Sequence, residues 1–247
     1  MFLEEYFSIK PNEIQPFELF GRSHIIALLC VVGFICGFTF LATKNERFRH
    51  FYKWFLLIAI STQEIMLRLW KGVFYELRFE VLFNLQICAF SIVLIVIILI
   101  KYNQAIFELL YFWGIGGAAQ ALLTPNIRVY GFPHFRFFQI FISHGLIIAI
   151  IFYFLFAEGK RLRRGSLFRG IVFTNLYAAG AFVINKVFNT NFLYLNQELD
   201  TQSLLDFLGS GPGKFFWMEV VLIAVFSVLY IPVLIRRKNA FHREPSS

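Results

Sequence analysis

Apolar residues along this chain gather into seven near-continuous blocks, at 25–41, 51–70, 81–100, 105–123, 135–156, 167–187 and 215–235, separated by short polar connections. Blocks of about 20 residues, rising about 1.5 Å per residue as helices, match the roughly 30 Å hydrocarbon core of a bilayer. A membrane barrel would instead show alternating segments of about ten residues. The pattern predicts an all-α, polytopic membrane protein, a bundle of seven transmembrane helices. Around this domain, at 22–235, it places a short extracytoplasmic segment, 1–21, broken by Pro11 and Pro16, and a disordered cytoplasmic tail, 236–247. The longest outer connection, about 188–213, ends in the turn-forming run Gly209-Ser210-Gly211-Pro212-Gly213. No internal repeat is evident, which argues against an inverted-repeat transporter.

Composition agrees with lipid as the solvent. The chain is 58% apolar and 15% charged, against about 45–50% and about 25% in soluble domains. A net charge of +8 invites a nucleic-acid reading, but the basic residues are distributed by membrane side. With the N-terminus outside, fourteen Lys and Arg fall on the inner side and eight on the outer, with Arg68 inside a span. That excess sets the orientation: N-terminus out, C-terminus in. The basic loop 160–169 then reads as a contact for anionic lipid head groups. No nucleic-acid partner is expected. Glu4, Glu5, Glu13 and Glu18 precede the first block without a basic n-region, so a cleaved signal peptide is not expected. The protein is assigned to a cell membrane, most simply a bacterial plasma membrane. Cys30, Cys36 and Cys88 all fall inside blocks and make no disulfide framework. Five scattered His lack metal-ligand spacing, so neither a metal nor another cofactor is expected.

Polar side chains within spans are costly and usually face the bundle interior. Here their depth is informative. Gln63, Glu64 and Arg68 lie in the second half of the second block, and Asn84, Gln86 and Cys88 in the first half of the third. Gln120 and Thr124 end the fourth, Arg136, Gln139, Ser143 and His144 open the fifth, Asn185 ends the sixth, and Glu219 opens the seventh. Because alternate helices run in opposite directions, these groups share the outer leaflet. Glu108 and Asn175 are exceptions, with Glu108 close enough to the inner end to snorkel. The pattern predicts an outward-facing polar cavity; the alternative is a set of interhelical hydrogen bonds worth about 0.6 kcal/mol each.

Glu64 and Arg68, at i and i+4 with the acid first, are placed to pair. The same arginine could meet a lipid phosphate. Arg136, Gln139 and Ser143 share one helix face, with His144 at its margin. Cys88 and His144 sit roughly 10 and 14 Å below the starts of their blocks, so a contact is permitted. An apolar thiol alone is inert, whereas an adjacent imidazole can take its proton and leave a nucleophile. Arg136, Gln120 or Asn84 would then supply donors to an oxyanion. Taken singly, Cys88 reads first as a small core residue and His144 as a hydrogen-bonded interior one, and their shared depth is what raises the paired reading.

The runs Gly117-Ala118-Ala119-Gln120-Ala121-Leu122-Leu123-Thr124-Pro125, Tyr130-Gly131-Phe132-Pro133-His134-Phe135-Arg136-Phe137-Phe138-Gln139 and Ile142-Ser143-His144-Gly145 resemble the YwaF-type bacterial membrane proteins, relatives of the eukaryotic transmembrane protein 164. The likeness extends from Phe20 and His24 to the late motif Leu204–Gly209. It implies seven helices and acyl transfer between phospholipids by a cysteine and a histidine, roles that map onto Cys88 and His144. The sequence departs from the pattern at Gln86-Ile87-Cys88, where many bacterial members place His-x-Cys. The functional expectation is a lipid acyltransferase or transacylase, or a related hydrolase, with catalytic Cys88 and His144. Arg68, Asn84, Gln120, Arg136, Gln139, Ser143 and Asn185 are the candidate substrate contacts, and membrane phospholipids the partners. The rival reading is a protein that binds or transports a small ligand or lipid in the same cavity without covalent chemistry; an assembly role for the Phe-rich surface ranks last.

Overall fold

The computed structural model describes residues 2–11, 15–74, 83–195 and 213–241. These form α1 (Phe2–Phe7), α2 (Arg22–Lys44), α3 (Glu46–Phe74), α4 (Ile87–Ile100), α5 (Gln104–Leu123), α6 (Phe135–Ala157), α7 (Ser166–Phe188) and α8 (Gly213–Phe241). No strand occurs among the described residues. Helices α2, α5, α6, α7 and α8 are long and apolar enough to cross a membrane. Helix α3 is long, but Arg47, Arg49 and Lys53 at one end and Arg68 and Lys71 at the other make it amphipathic rather than uniformly apolar. Helix α4 is apolar but has 14 residues, about 21 Å at 1.5 Å per residue, too short to cross alone.

That short helix corrects the third predicted block. Positions 81–82 lie outside the described residues, and 83–86 are not helical. The cause is local. Asn84 accepts the Gln86 backbone N–H on Oδ1 at 3.0 Å, a turn that competes with the helix for that donor. Cys88 therefore stands in the first turn of α4, not two turns below a helix start. Non-helical backbone at membrane depth is tolerated where it lines a cavity, as Asn84 and Gln86 do.

Helix α6 is the hub, with two-thirds of its apolar span buried, whereas α2, α7 and α8 leave most of theirs to the surroundings. Around it close Tyr52, Leu56 and Ile60 of α3, Ile95 and Leu99 of α4, Phe107 and Leu110 of α5, and its own Ile147, Ile150 and Tyr153. Gly114 permits close approach of α5 to α6: a Cβ there would lie 2.1 Å from Ile151 Cδ1. The helix widens to π geometry at Trp113–Gly117, next to this contact, and α6 does the same at Tyr153–Ala157.

Two further expectations change, at Glu108 and at the start of the tail, and the contacts of the N-terminal segment are defined. The N-terminal segment docks onto the bundle: Trp70 Nε1 donates to the Phe7 carbonyl at 2.7 Å, Tyr130 Oη to Ile9 at 3.1 Å, and the Phe17 N–H to the Arg128 carbonyl at 2.7 Å. Glu108 does not snorkel. It is 3% exposed and bound by Arg163 Nε at 2.8 Å and Arg169 Nη2 at 2.7 Å. The start of the predicted disordered tail is helical, since α8 continues to Phe241. Residues 242–247, the turn run 209–212 and the 204–209 motif lie outside the described residues.

Candidate functional site

One end of the bundle is hollow. Helix α3 ends there, α4 begins, α5 ends, α6 begins, and the first turns of α8 and residues 193–195 close the circuit around about 700 Å³. Antiparallel neighbours thus bring together side chains that are distant in sequence. Of the residues singled out from the sequence, Asn84, Cys88, Gln120, Arg136, Gln139, Ser143 and His144 line this cavity. Arg68 and Asn185 do not. Arg68 Nε pairs with Glu64 Oε1 at 2.9 Å, and it is Glu64 that reaches the cavity wall. Asn185 is 1% exposed and committed to the chain beyond α7. Its Oδ1 accepts from Thr190 Oγ1 and the Phe192 N–H, and its Nδ2 donates to the Phe192 carbonyl, each at 2.8 Å.

A polar chain runs inward from the wall. Arg136 Nη1 donates to Gln139 Oε1, Gln139 Nε2 to Gln63 Oε1 at 3.1 Å, and Gln63 Nε2 to the Ile60 carbonyl at 3.2 Å. The Arg136 guanidinium also lies 5.8 Å from the centre of the Trp70 ring, within cation–π range. His144 Nδ1 lies 2.8 Å from the Ile140 carbonyl oxygen, its partner one turn back. A carbonyl can only accept, so Nδ1 carries the proton and Nε2 of the neutral ring keeps its lone pair. Cys88 is half-buried, and a Cβ on Gly117 would stand 3.8 Å from its sulfur. The missing side chain at 117, inside the π turn of α5, keeps the thiol's flank open.

The TMEM164 family profile matches residues 19–230, from the start of α2 to deep within α8. The chain belongs to the TMEM164 family. No curated protein and no solved structure matches it. Every residue that lines the cavity of this TMEM164-family chain falls within that match.

The other two interior histidines of the TMEM164-family bundle are structural. His24 is fully buried, accepts the Phe20 N–H on Nδ1 and donates from Nε2 to the Leu122 carbonyl, both at 2.9 Å. His134 caps α6 by accepting the Arg136 N–H at 3.0 Å and donates to the Ser8 carbonyl at 2.9 Å. Both rings spend both nitrogens on backbone. Among the described residues no cluster of His, Cys, Asp or Glu has the arrangement of a metal site.

Sequence reasoning missed several lining groups. Asn175, set aside as an exception, reaches the cavity and donates to Glu219 Oε1 at 3.1 Å. Tyr194 lines the wall although it follows α7 in what reads as an outer loop. Its phenol is raised above the ordinary value by burial and, secondarily, by the nearby Cys88. Leu193 and Tyr194 both hold left-handed φ, 55° and 56°, a conformation costly for side chains of this size. The Asn185 amide cage and Lys214 Nζ, which donates to the Tyr194 carbonyl at 3.1 Å, hold them there. Only the unexplained amide at 185 hinted at this fold-back.

Proposed function

We propose that this protein is a membrane-embedded lipid acyltransferase or transacylase in which Cys88 is the nucleophile and His144 the base. The supporting observation is that a thiol and an imidazole with a basic Nε2 line one cavity, beside donors suited to a phospholipid. In this reading the Cys88 proton passes to His144 Nε2 and the thiolate attacks the ester carbonyl carbon of a phospholipid. The carbon–oxygen bond to the glycerol breaks, and the leaving oxygen takes the proton from His144. An acyl thioester remains on Cys88. A lyso-lipid hydroxyl, or water, then gives its proton to His144 and attacks the thioester, restoring the thiol. Arg136, Gln120, Asn84 and Gln139 meet the head group and glycerol, with Arg68 and Asn185 acting at one remove through Glu64 and the 189–195 turn.

The accompanying topology is seven crossings with the N-terminus out, α3 and α4 completing the set, and the cavity in the outer leaflet of a plasma membrane. Loop 160–169 faces anionic head groups on the inner side. Purified protein incubated with a phospholipid labelled in its acyl chain is expected to carry one covalent acyl group, absent from Cys88→Ala. Equal labelling of that variant would end the proposal. A second reading, ligand binding or transport without covalent chemistry, draws on the Asn175–Glu219 pair, which the acyl-transfer steps do not use. Activity persisting in both Cys88→Ser and His144→Ala would favour it.

A further inference from the structure

Ser143 precedes His144 on α6, is 3% exposed, and lines the cavity. Hydroxyls inside helices ordinarily return to the carbonyl three or four residues back. Thr43, Thr124 and Thr174 do so, to Phe40, Gln120 and Gly170 at 2.6, 3.1 and 2.7 Å. Ser143 makes no such bond; among the described residues no side chain or carbonyl partners its Oγ. Nor is that oxygen wholly enclosed as the unpartnered oxygens of Ser91 and Ser166 are. It is a buried hydroxyl in the cavity wall.

The facing wall offers matching donors. Helix α4 has 14 residues, and its N-cap, Gln86, makes no side-chain capping bond. The first helical bond runs from the Phe90 N–H to the Gln86 carbonyl at 3.0 Å, so the N–H groups of Ile87, Cys88 and Ala89 precede the ladder. All three residues line the cavity. Unladdered N–H groups at the positive end of a helix dipole favour a negatively charged oxygen.

We propose that the first-turn amides of α4 and the Ser143 hydroxyl together form a subsite for an anionic oxygen beside the Cys88 sulfur. This rests on the acyl-transfer reading and names its charge-stabilising donors. As the Cys88 sulfur bonds to the ester carbonyl carbon, the C=O pair moves onto oxygen. Ser143 and the amides bind that oxygen until the pair returns and the glycerol oxygen departs with the His144 proton. Arg136, already engaged with Gln139, is left to the phosphate. Ser143 is thereby a catalytic residue, and Gly117 gives the carbonyl room to approach.

The test uses full-length protein with Cys30 and Cys36 replaced by Ser, and measures the rate of acyl–Cys88 formation at varied phospholipid concentration. Ser143→Ala should slow the reaction about a hundredfold at saturation, the usual scale for one oxyanion donor, with half-saturation unchanged. Ser143→Thr should recover part of the rate, and thermal unfolding should not move. A Ser143→Ala rate equal to the parent's, with the parent forming adduct, overturns this subsite and leaves acyl transfer standing. A parent that forms no adduct ends acyl transfer, and a binding arm then decides the subsite. In Cys88→Ala, a long-chain fatty acid at neutral pH should bind at least about tenfold tighter than the alcohol of equal length. Adding Ser143→Ala should erase most of that preference. No preference, or one that survives without the hydroxyl, overturns it.

Discussion

At the end of the bundle remote from the cavity, Glu108 is closed off. Arg163 and Arg169 hold its two oxygens, Gln104 Nε2 adds a bond at 3.0 Å, and the Arg163 backbone N–H another at 3.0 Å. At the cavity end, Ser143 and the first-turn residues of α4 line open volume, and His144 uses one ring nitrogen while His24 and His134 use both. Both ends carry costly polar groups. What separates them is whether those groups satisfy one another. A charged cluster that closes on itself fixes loop 160–169 against the helices; polar groups left facing a cavity are paid for by what enters it.

Breaking the closed end should have the largest effect. Replacing Arg163 and Arg169 together by Ala leaves the Glu108 carboxylate buried without its cations, and should lower stability more than any other change considered. Thermal unfolding in detergent reads this, and Glu108→Gln in the same background should recover much of it, while Cys88 chemistry in molecules that remain folded stays unchanged. Next in size is Gly131→Ala. A Cβ there would meet the Gln15 carbonyl oxygen at 2.0 Å, so the N-terminal segment must move, at a cost of about 1–3 kcal/mol. Faster proteolysis within 2–20 is the expected sign.

Acid should loosen the same strap more gently. Burial, aided by the Arg136 charge and opposed by the Ser8 carbonyl and Glu5, holds His134 below the ordinary imidazole value. The folded state thus prefers the neutral ring, which can accept the Arg136 N–H. Its contribution is complete above the ordinary value of about 6.5 and is lost as pH falls through the lower, folded value. Amide exchange at 7–10 should quicken on acidification to about pH 5, and His134→Ala should remove most of that dependence. The smallest effect belongs to Cys30→Ser with Cys36→Ser. Both thiols are exposed on α2, and stability should shift by less than about 0.5 kcal/mol.

Much of the cavity was legible because antiparallel helices convert sequence position into depth. Polar residues at alternating ends of successive apolar blocks must share one end of the bundle, which is how Cys88, Gln120, Gln139 and His144 could be grouped before any contact was known. Local competition hid the rest. The Asn84 turn stops α4 from starting where apolarity begins, so Cys88 moved to a helix N-terminus that hydropathy alone could not reveal. Asn185 looked like a site residue because buried amides in spans often are, yet its bonds all go to the returning turn that delivers Tyr194. Glu108 looked able to reach water; its arginines are separated from it by more than fifty residues and only the fold brings them close.

The coupling of thiol and imidazole is the central claim, and the rate of Cys88 alkylation tests it without any substrate. In protein lacking Cys30 and Cys36, a membrane-permeant thiol reagent should modify Cys88 at least about tenfold faster with His144 present than in His144→Ala, because only an adjacent base supplies the thiolate. Equal rates in the two proteins, with both folded, would contradict it.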